Sequence, residues 1–430
     1  MGTDKFTVYI ESLSFGGRGV GRRVDGKVVF VPAVIPGENV RVHKSVEHSS
    51  YILADVDEIL EPSPERVEPR CRVFDSCGGC DWQHISYNQQ VMWKNRILGG
   101  EIDKACKSSS LNMLEAVLSE KIYGYRGHAV IQCPYDPEFR MGFFQKKSKQ
   151  IVEFDDCPVL NTKIIKTLTD LKEILKRNPI HGLYSLEIHA PQDDVILLAR
   201  CKGKGHFDYS MAMNRIYNEL DVAGVSFIVS GGRRSDHVLG QRFCRYDVPT
   251  PEGVMQLSSG FGGFIQANMQ INAALIENVV QLADGSQKIL DLYSGSGNFS
   301  IPLSHAADEV VAIERSRRLA SQGRVNAKKN NIDNVRFISM DARKAVDSIR
   351  NEMLSFDTII LDPPREGAKD IVKLLPQIGP SRIIYISCDP STLARDLKDL
   401  VEQGYSLRHS RVYDMFPQTY HIETVSYLER

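Results

Sequence analysis

Between residues 5 and 60, apolar and polar residues alternate. The segments KFTVYIESL, KVVFVPAVIPGENVRVHKSV and YILADVDEIL carry the period of two expected of half-buried strands. Together they predict a small β-barrel. SFGGRGVGRRVDGK lies between the first two, with Gly16, Gly17, Gly19, Gly21 and Gly26 as turn residues and Arg18, Arg22, Arg23 and Lys27 among them. Glycine lets a backbone approach a phosphate, and arginine pairs with it. A solvated hairpin with ordinary surface charge accounts for the same residues. EPSPERVEPR, 61–70, reads as a linker. From Ser86 the pattern turns helical, through Tyr87, Val91, Met92, Ile97 and Leu98.

The stretch from 121 to 260 is rich in strand patterns. One amphipathic helix, NTKIIKTLTDLKEILKRN, interrupts it, with Ile164, Leu168, Leu171 and Leu175 on one face. From 263 the texture becomes strand–helix alternation, which predicts a doubly wound, mostly parallel sheet. The fold class is therefore multidomain α/β: an OB-like β-barrel at 1–61, an α+β middle domain at 62–262, and a Rossmann-like domain at 263–430.

A chain of 430 residues is expected to form several domains, at about 100–200 residues each. A formal net charge of −1 gives no global field toward nucleic acid, so any such surface is a local patch. No apolar run is long enough for a bilayer. The start, MGTDKFTVYIESL, has neither a secretory pattern nor, with Phe6 where Ser or Thr is needed, the pattern for acylation of Gly2. A cytoplasmic protein is expected. In that reducing compartment clustered cysteines indicate a metal and isolated ones packing or catalysis. Cys71, Cys77 and Cys80 are clustered as C-x5-C-x2-C.

DLYSGSGNFS places Gly295 and Gly297 between an apolar strand and a helix. A G-x-G is weak evidence alone. The next strand ends in Glu314, where an acid can grip a ribose hydroxyl pair. The strand after ends in Asp341, placed to bind near an adenine amine. Each acid singly could be a helix cap; the glycine turn and the two acids together outline an S-adenosylmethionine site. Asp362, in LDPPREG, ends the fourth strand on the same rim.

Cys388 ends the fifth strand, and Asp389, Pro390 and Ser391 resemble a helix start. A helix N-terminus favours the thiolate, so a nucleophile is expected there; a lone cysteine is otherwise an ordinary core residue. Glu423 opens a short apolar strand, where a carboxylate's raised pKa would suit proton transfer near neutrality. His421 is a rival base that the sequence does not rank.

These residues resemble the S-adenosylmethionine-dependent RNA (uracil-C5-)-methyltransferases over nearly the whole chain, most specifically in SCDPSTLARDL and FPQTYHIETV. The resemblance implies that the barrel is a TRAM domain that binds RNA. It implies that Cys388 attacks uracil C6 and that Glu423 removes the C5 proton. It also implies a cofactor site built from Gln266 of FIQAN with Tyr293, Asn298, Glu314, Asp341 and Asp362. Ser294 stands where many relatives have cysteine. Cys157 of DDCPVL becomes the fourth ligand of a [4Fe–4S] cluster with Cys71, Cys77 and Cys80, a choice over Cys106, Cys133 or Cys201 that spacing does not make. Zinc is the alternative metal. The RNA is expected to be 23S ribosomal RNA, with the T-loop of transfer RNA as the alternative, and the protein a monomer. Competing readings are an RNA or DNA amine methyltransferase, which needs no thiol, and a non-catalytic RNA-binding protein.

Overall fold

A computed structural model describes residues 5–106, 112–134, 139–203, 209–230 and 236–430. Gly2 and the ends of two strand patterns, at 135–136 and 231–232, lie outside them.

The alternating N-terminal pattern forms a closed barrel of β1 (Lys5–Leu13), β2 (Gly19–Arg22), β3 (Val28–Val31), β4 (Asn39–Glu47) and β5 (Tyr51–Glu61), in the order β1-β2-β3-β5-β4. Val8, Ile10, Val29, Val31, Val40, Val42 and Ile52 fill it. Gly21 is obligatory where β1 and β2 cross, since a Cβ there would lie 2.2 Å from the Tyr9 carbonyl oxygen. In the hairpin, Arg23 pairs with Asp25 and Glu47, and Lys27 with Glu47. These two cations thus have intramolecular partners.

The cysteine-rich stretch leads into helix α1 (Tyr87–Cys106). Next come β6 (His128–Gln132), β7 (Gly142–Phe144), β8 (Ile151–Glu153), α2 (Thr162–Arg177), β9 (Leu183–His189), β10 (Ile196–Lys202), α3 (Ser210–Glu219), β11 (Gly224–Ser230) and β12 (Asp236–Gly240). The sequence pattern did not reveal α3, which buries only Met213 and Ile216. The seven strands form one sheet, ordered β12-β11-β10-β9-β6-β7-β8. One face packs Ile131, Leu186, Ile188 and Leu197 against Ile164, Leu168, Leu171 and Leu175 of α2. The other carries His128, Glu187, His189 and Arg200. Glu187 accepts from Arg200 at 2.6 Å and meets His189 at 2.7 Å.

The hairpin β13 (Phe243–Thr250) and β14 (Gly253–Gly260) precedes α4 (Met269–Ala283). Its Cys244, Tyr246, Val248 and Leu257 share a core with Ile271, Leu275 and Val279 of α4. Likewise Val91, Ile97, Leu98 and Ile102 of α1 share a core with Leu393, Leu397 and Leu400 of the C-terminal domain. Apolar faces at both ends of the stretch 62–262, and Ile196 and Leu198 of β10, thus share cores with residues beyond 263.

The C-terminal domain continues with β15 (Ser286–Leu292), β16 (Ala307–Glu314), α5 (Arg317–Lys329), β17 (Val335–Ser339), α6 (Ala342–Asn351), β18 (Thr358–Leu361), the short α7 (Lys369–Val372) and α8 (Leu375–Ile378), β19 (Arg382–Ser387), α9 (Pro390–Glu402), β20 (Ser406–Tyr413) and β21 (Glu423–Glu429). Its sheet runs β17-β16-β15-β18-β19-β21-β20. The first five are mutually parallel; β21 is antiparallel to both neighbours. The central strands are near-continuous apolar runs, Ile359–Leu361 and Ile383–Ile386 among them, as burial on both faces requires. Strand order reverses between β15 and β18. Ligands of such sheets bind outside the carboxyl ends at this switch point.

Candidate active site

A cavity of about 490 Å³ opens at that switch point, within the range of small-molecule sites. Its wall takes Phe264, Ile265 and Gln266 from the segment before α4, and Tyr293, Gly295 and Asn298 from the turn after β15. Glu314, Asp362, Cys388, His421 and Glu423 complete the rim. Thus every sequence-predicted catalytic or cofactor residue but Asp341 lines one space.

The turn after β15 bends sharply: Tyr293, Gly295 and Gly297 have φ of 69°, 58° and 95°. A Cβ on Gly297 would meet Ile301 and Phe337 at 2.8 Å. Glu314 braces this turn, accepting from the N–H groups of Gly295 at 3.0 Å and Ser316 at 2.6 Å. Asn298 exchanges amide hydrogen bonds with Asn272 of α4 at 3.0 and 2.9 Å. Asp341 caps α6, its Oδ1 accepting from the N–H groups of Arg343 and Lys344. An acid after a strand satisfies whichever donors its rotamer reaches, and here they are the helix's own.

Cys388 follows β19 directly, and Glu423 begins β21. Ser387 is paired with Thr424 in the antiparallel ladder. One step further along the same register brings Cys388 opposite Glu423, the spacing at which cross-strand side chains touch. Asp389 caps α9 through the N–H groups of Ser391 and Thr392, both at 3.0 Å. The expectation of a thiolate favoured by that helix needs correcting. Burial first, then Glu423 and Asp362, push the Cys388 thiol up to about 12. Desolvation and like charge outweigh a partial dipole charge whose nearest donors Asp389 has already taken.

The carboxyls respond to the same burial. Asp362 is pushed up to about 7 by burial alone. Glu423, only 5 % exposed, is raised well above the usual range by burial and by Asp362. His421 is pushed down to about 4 by burial and by Arg365, so it is neutral at pH 7. Sequence reasoning missed Asp291, a fully buried acid in β15 raised to about 7 by burial. One of its oxygens accepts from Ser300; the other has no protein donor. Its signal was an acid inside the apolar run ILDL. Ser294 likewise has a buried hydroxyl oxygen without a partner. Arg365, Phe299 and Phe416 also line the cavity and had no readable signal. Such a space, with the Asp362 and Glu423 carboxyls raised by burial on its wall, suits a ligand that brings positive charge, which would favour their ionised forms.

Away from this cavity, Cys71, Cys80 and Cys157 share a small apolar cluster with Phe74, Tyr123, Tyr125 and Val159. Burial raises Cys80 to about 12 and Cys157 to about 11, and the neighbouring thiols, Cys77 among them, add to both rises. Gly79 donates its N–H to the Cys77 sulfur at 3.4 Å. Cys133 and Cys201, by contrast, belong to the core of the middle sheet.

The family described as tRNA (Uracil-5-)-methyltransferase matches residues 116–430. A curated relative from Alkalilimnicola ehrlichii, the 23S rRNA (uracil(1939)-C(5))-methyltransferase RlmD, is 34% identical over 99% of this chain and 97% of its own. The protein of the same description from Thiobacillus denitrificans is 33% identical, over 98% and 99%. The crystal structure of Pyrococcus abyssi tRNA (uracil-54, C5)-methyltransferase, in complex with S-adenosyl-L-homocysteine, is 26% identical. It superposes with a TM-score of 0.77 over 98% of this chain and 99% of that one. The chain belongs to the family of S-adenosylmethionine-dependent RNA (uracil-C5-)-methyltransferases.

Proposed function

We propose that the protein methylates C5 of a uridine in 23S ribosomal RNA, with Cys388 as nucleophile and Glu423 as the base that takes the C5 proton. Cys388 and Glu423 line the same cofactor-sized cavity, one step beyond the Ser387–Thr424 pair of β19 and β21 and close enough for Glu423 to act on the thiol, and this carries the reading. Uracil C5 is too electron-poor to be methylated directly. Addition of the Cys388 sulfur to C6 breaks the ring conjugation and leaves C5 enolate-like. Methyl transfer would leave S-adenosylhomocysteine; Glu423, as carboxylate, then takes the C5 proton, the C6–S bond breaks and the thiolate leaves. S-adenosylmethionine supplies a methyl group on a cationic sulfonium. Gln266, Tyr293, Gly295, Asn298, Glu314 and Asp362 would hold it; the raised carboxyls of Asp362 and Asp291 fit that positive charge. Asp341 caps α6 through Oδ1 alone, and its other oxygen would serve the cofactor as the family resemblance implies. The uracil must be unpaired or flipped to reach Cys388. The N-terminal barrel, read as TRAM-like, would hold the RNA. The protein is expected to act as a cytoplasmic monomer.

We assign Cys71, Cys77, Cys80 and Cys157 to a [4Fe–4S] cluster of structural role. Thiols from two distant segments converge with a backbone N–H aimed at one sulfur, a common feature of cluster sites. Four sulfurs around zinc would sit about 3.8 Å apart, given a Zn–S distance of about 2.3 Å. Among the described residues the one trio of ligand atoms all within 4.8 Å of one another is His128, Glu187 and His189, so the thiols are spread more widely than zinc requires. Arg200 on Glu187 argues against a cation at that trio.

The test is tritium release from uridine labelled at C5, using unmodified 23S and transfer RNA transcripts. Release from the 23S transcript that Cys388→Ala abolishes is expected. Release from transfer RNA alone would replace the substrate. Methyl incorporation without release would replace the reaction by amine methylation.

A further inference from the structure

The loop between β20 and β21 supplies Phe416 and His421 to the cavity and leads directly into Glu423, the first residue of β21, yet residues from the far end of the chain hold its shape. Gln418, at its apex, is 2 % exposed and has φ of 71°, a left-handed conformation that costs a non-glycine residue energy. Its carbonyl oxygen accepts from the N–H groups of Asp81 at 3.2 Å and Trp82 at 3.0 Å, the residues just after Cys80. Its own N–H donates to Gln90 Oε1 at 2.8 Å, and its side-chain oxygen accepts from Gln90 Nε2 at 3.0 Å. Gln90 is itself locked, its Nε2 also donating to the carbonyls of Trp82 and Ile85. On either side, Lys94 forms an ion pair with Asp414 at 2.6 Å and Tyr125 donates to the Pro417 carbonyl at 2.9 Å.

We infer that Gln418 is a positioning residue for the reaction: the amide pair it makes with Gln90 of α1 sets the turn that delivers Glu423 to the cavity opposite Cys388. The Gln90 amide makes two hydrogen bonds to Gln418, and the N–H groups of Asp81 and Trp82 add two more, so four bonds fix one turn; the strained φ shows that the turn would not choose this conformation unaided. Neither glutamine lines the cavity or touches its reacting groups, so the effect is geometric. A base displaced by an ångström loses proton transfer while leaving RNA and cofactor contacts intact. This inference rests on Glu423 being the proton acceptor.

The test uses the full-length holoprotein. Gln90→Met keeps the side-chain length and removes the amide. Expected are a kcat lowered at least tenfold, KM values for RNA and S-adenosylmethionine within twofold of wild type, and accumulation of a covalent RNA–protein adduct on denaturing gels. The adduct marks a stalled C5-proton step, and a larger isotope effect from C5-deuterated uridine should accompany it. General loosening of the fold would move KM and melting temperature without accumulating adduct. Wild-type kcat, or a lowered kcat without adduct, overturns the inference. Should Gln90→Met fail to fold, Gln418→Gly removes one side of the pair and relieves the backbone; adduct accumulation is again expected, and wild-type partitioning overturns the inference. Glu423→Gln separates the two claims. If it traps no adduct, the assignment of the base has failed; if it traps adduct while both glutamine variants do not, only the positioning role has failed.

Discussion

The thiol of Cys388 should be nearly inert in the protein without its ligands. Its environment raises it from an ordinary 9.0 to about 12. At about 1.36 kcal/mol per pKa unit, the thiolate is disfavoured by about 4 kcal/mol. At pH 8 that lowers the thiolate population, and hence the alkylation rate, by about a thousandfold relative to an ordinary thiol. The perturbation is iodoacetamide labelling from pH 6 to 10.5, read peptide by peptide by mass spectrometry. The residue borders an open cavity, so slow labelling would reflect ionisation rather than access. The distinguishing feature is a rate at Cys388 that still climbs tenfold per pH unit at pH 10. Burial leads the causes and the charge of Glu423 comes second, so Glu423→Gln should raise the rate by much less than the thousandfold set by the whole environment. A cationic cofactor analogue such as sinefungin should accelerate labelling more than the neutral S-adenosylhomocysteine, provided each leaves Cys388 exposed. A rate that levels off near pH 8.5 would refute the argument that desolvation defeats the helix terminus.

Other outcomes follow from particular contacts. Lys94→Met should destabilise the protein by about 3–5 kcal/mol in urea unfolding, because it strands a fully buried Asp414; adding Asp414→Asn should recover part of the loss, and additive effects would deny the pairing. Gly297→Ala should weaken S-adenosylhomocysteine binding at least tenfold by calorimetry, since its Cβ meets Ile301 and Phe337 at 2.8 Å. Gly295→Ala meets nothing within 4 Å and should cost only the backbone penalty of about 1 kcal/mol. Purified without air, the protein should carry about four irons per chain, lost in Cys77→Ala; stoichiometric zinc and no colour would refute the cluster.

Several features were legible in the sequence because they depend on local period and strand ends. Alternation in KFTVYIESL marked a half-buried strand, and the strand–helix alternation after 263 marked a doubly wound sheet. Topology then puts the carboxyl ends of the parallel strands on one rim, so Glu314, Asp362 and Cys388 could be grouped without coordinates. Which way an acid turns is different: Glu314 braces the cavity's own turn while Asp341 caps a helix, and both read alike as acids after strands. The family resemblance supplied Cys157, which spacing alone did not separate from Cys133 or Cys201; those two lie inside the middle sheet's core, whereas Cys157 packs at its edge beside Cys71 and Cys80. Only the tertiary structure decided the ionisation of Cys388, since desolvation depends on everything packed around the sulfur. Gln90 and Lys94 were equally silent. On a helix they look like surface residues, and the groups that justify burying them, Gln418 and Asp414, lie 328 and 320 residues away. Sequence pattern reports which face of an element is apolar; the satisfaction of a buried polar group depends on partners that no local pattern contains.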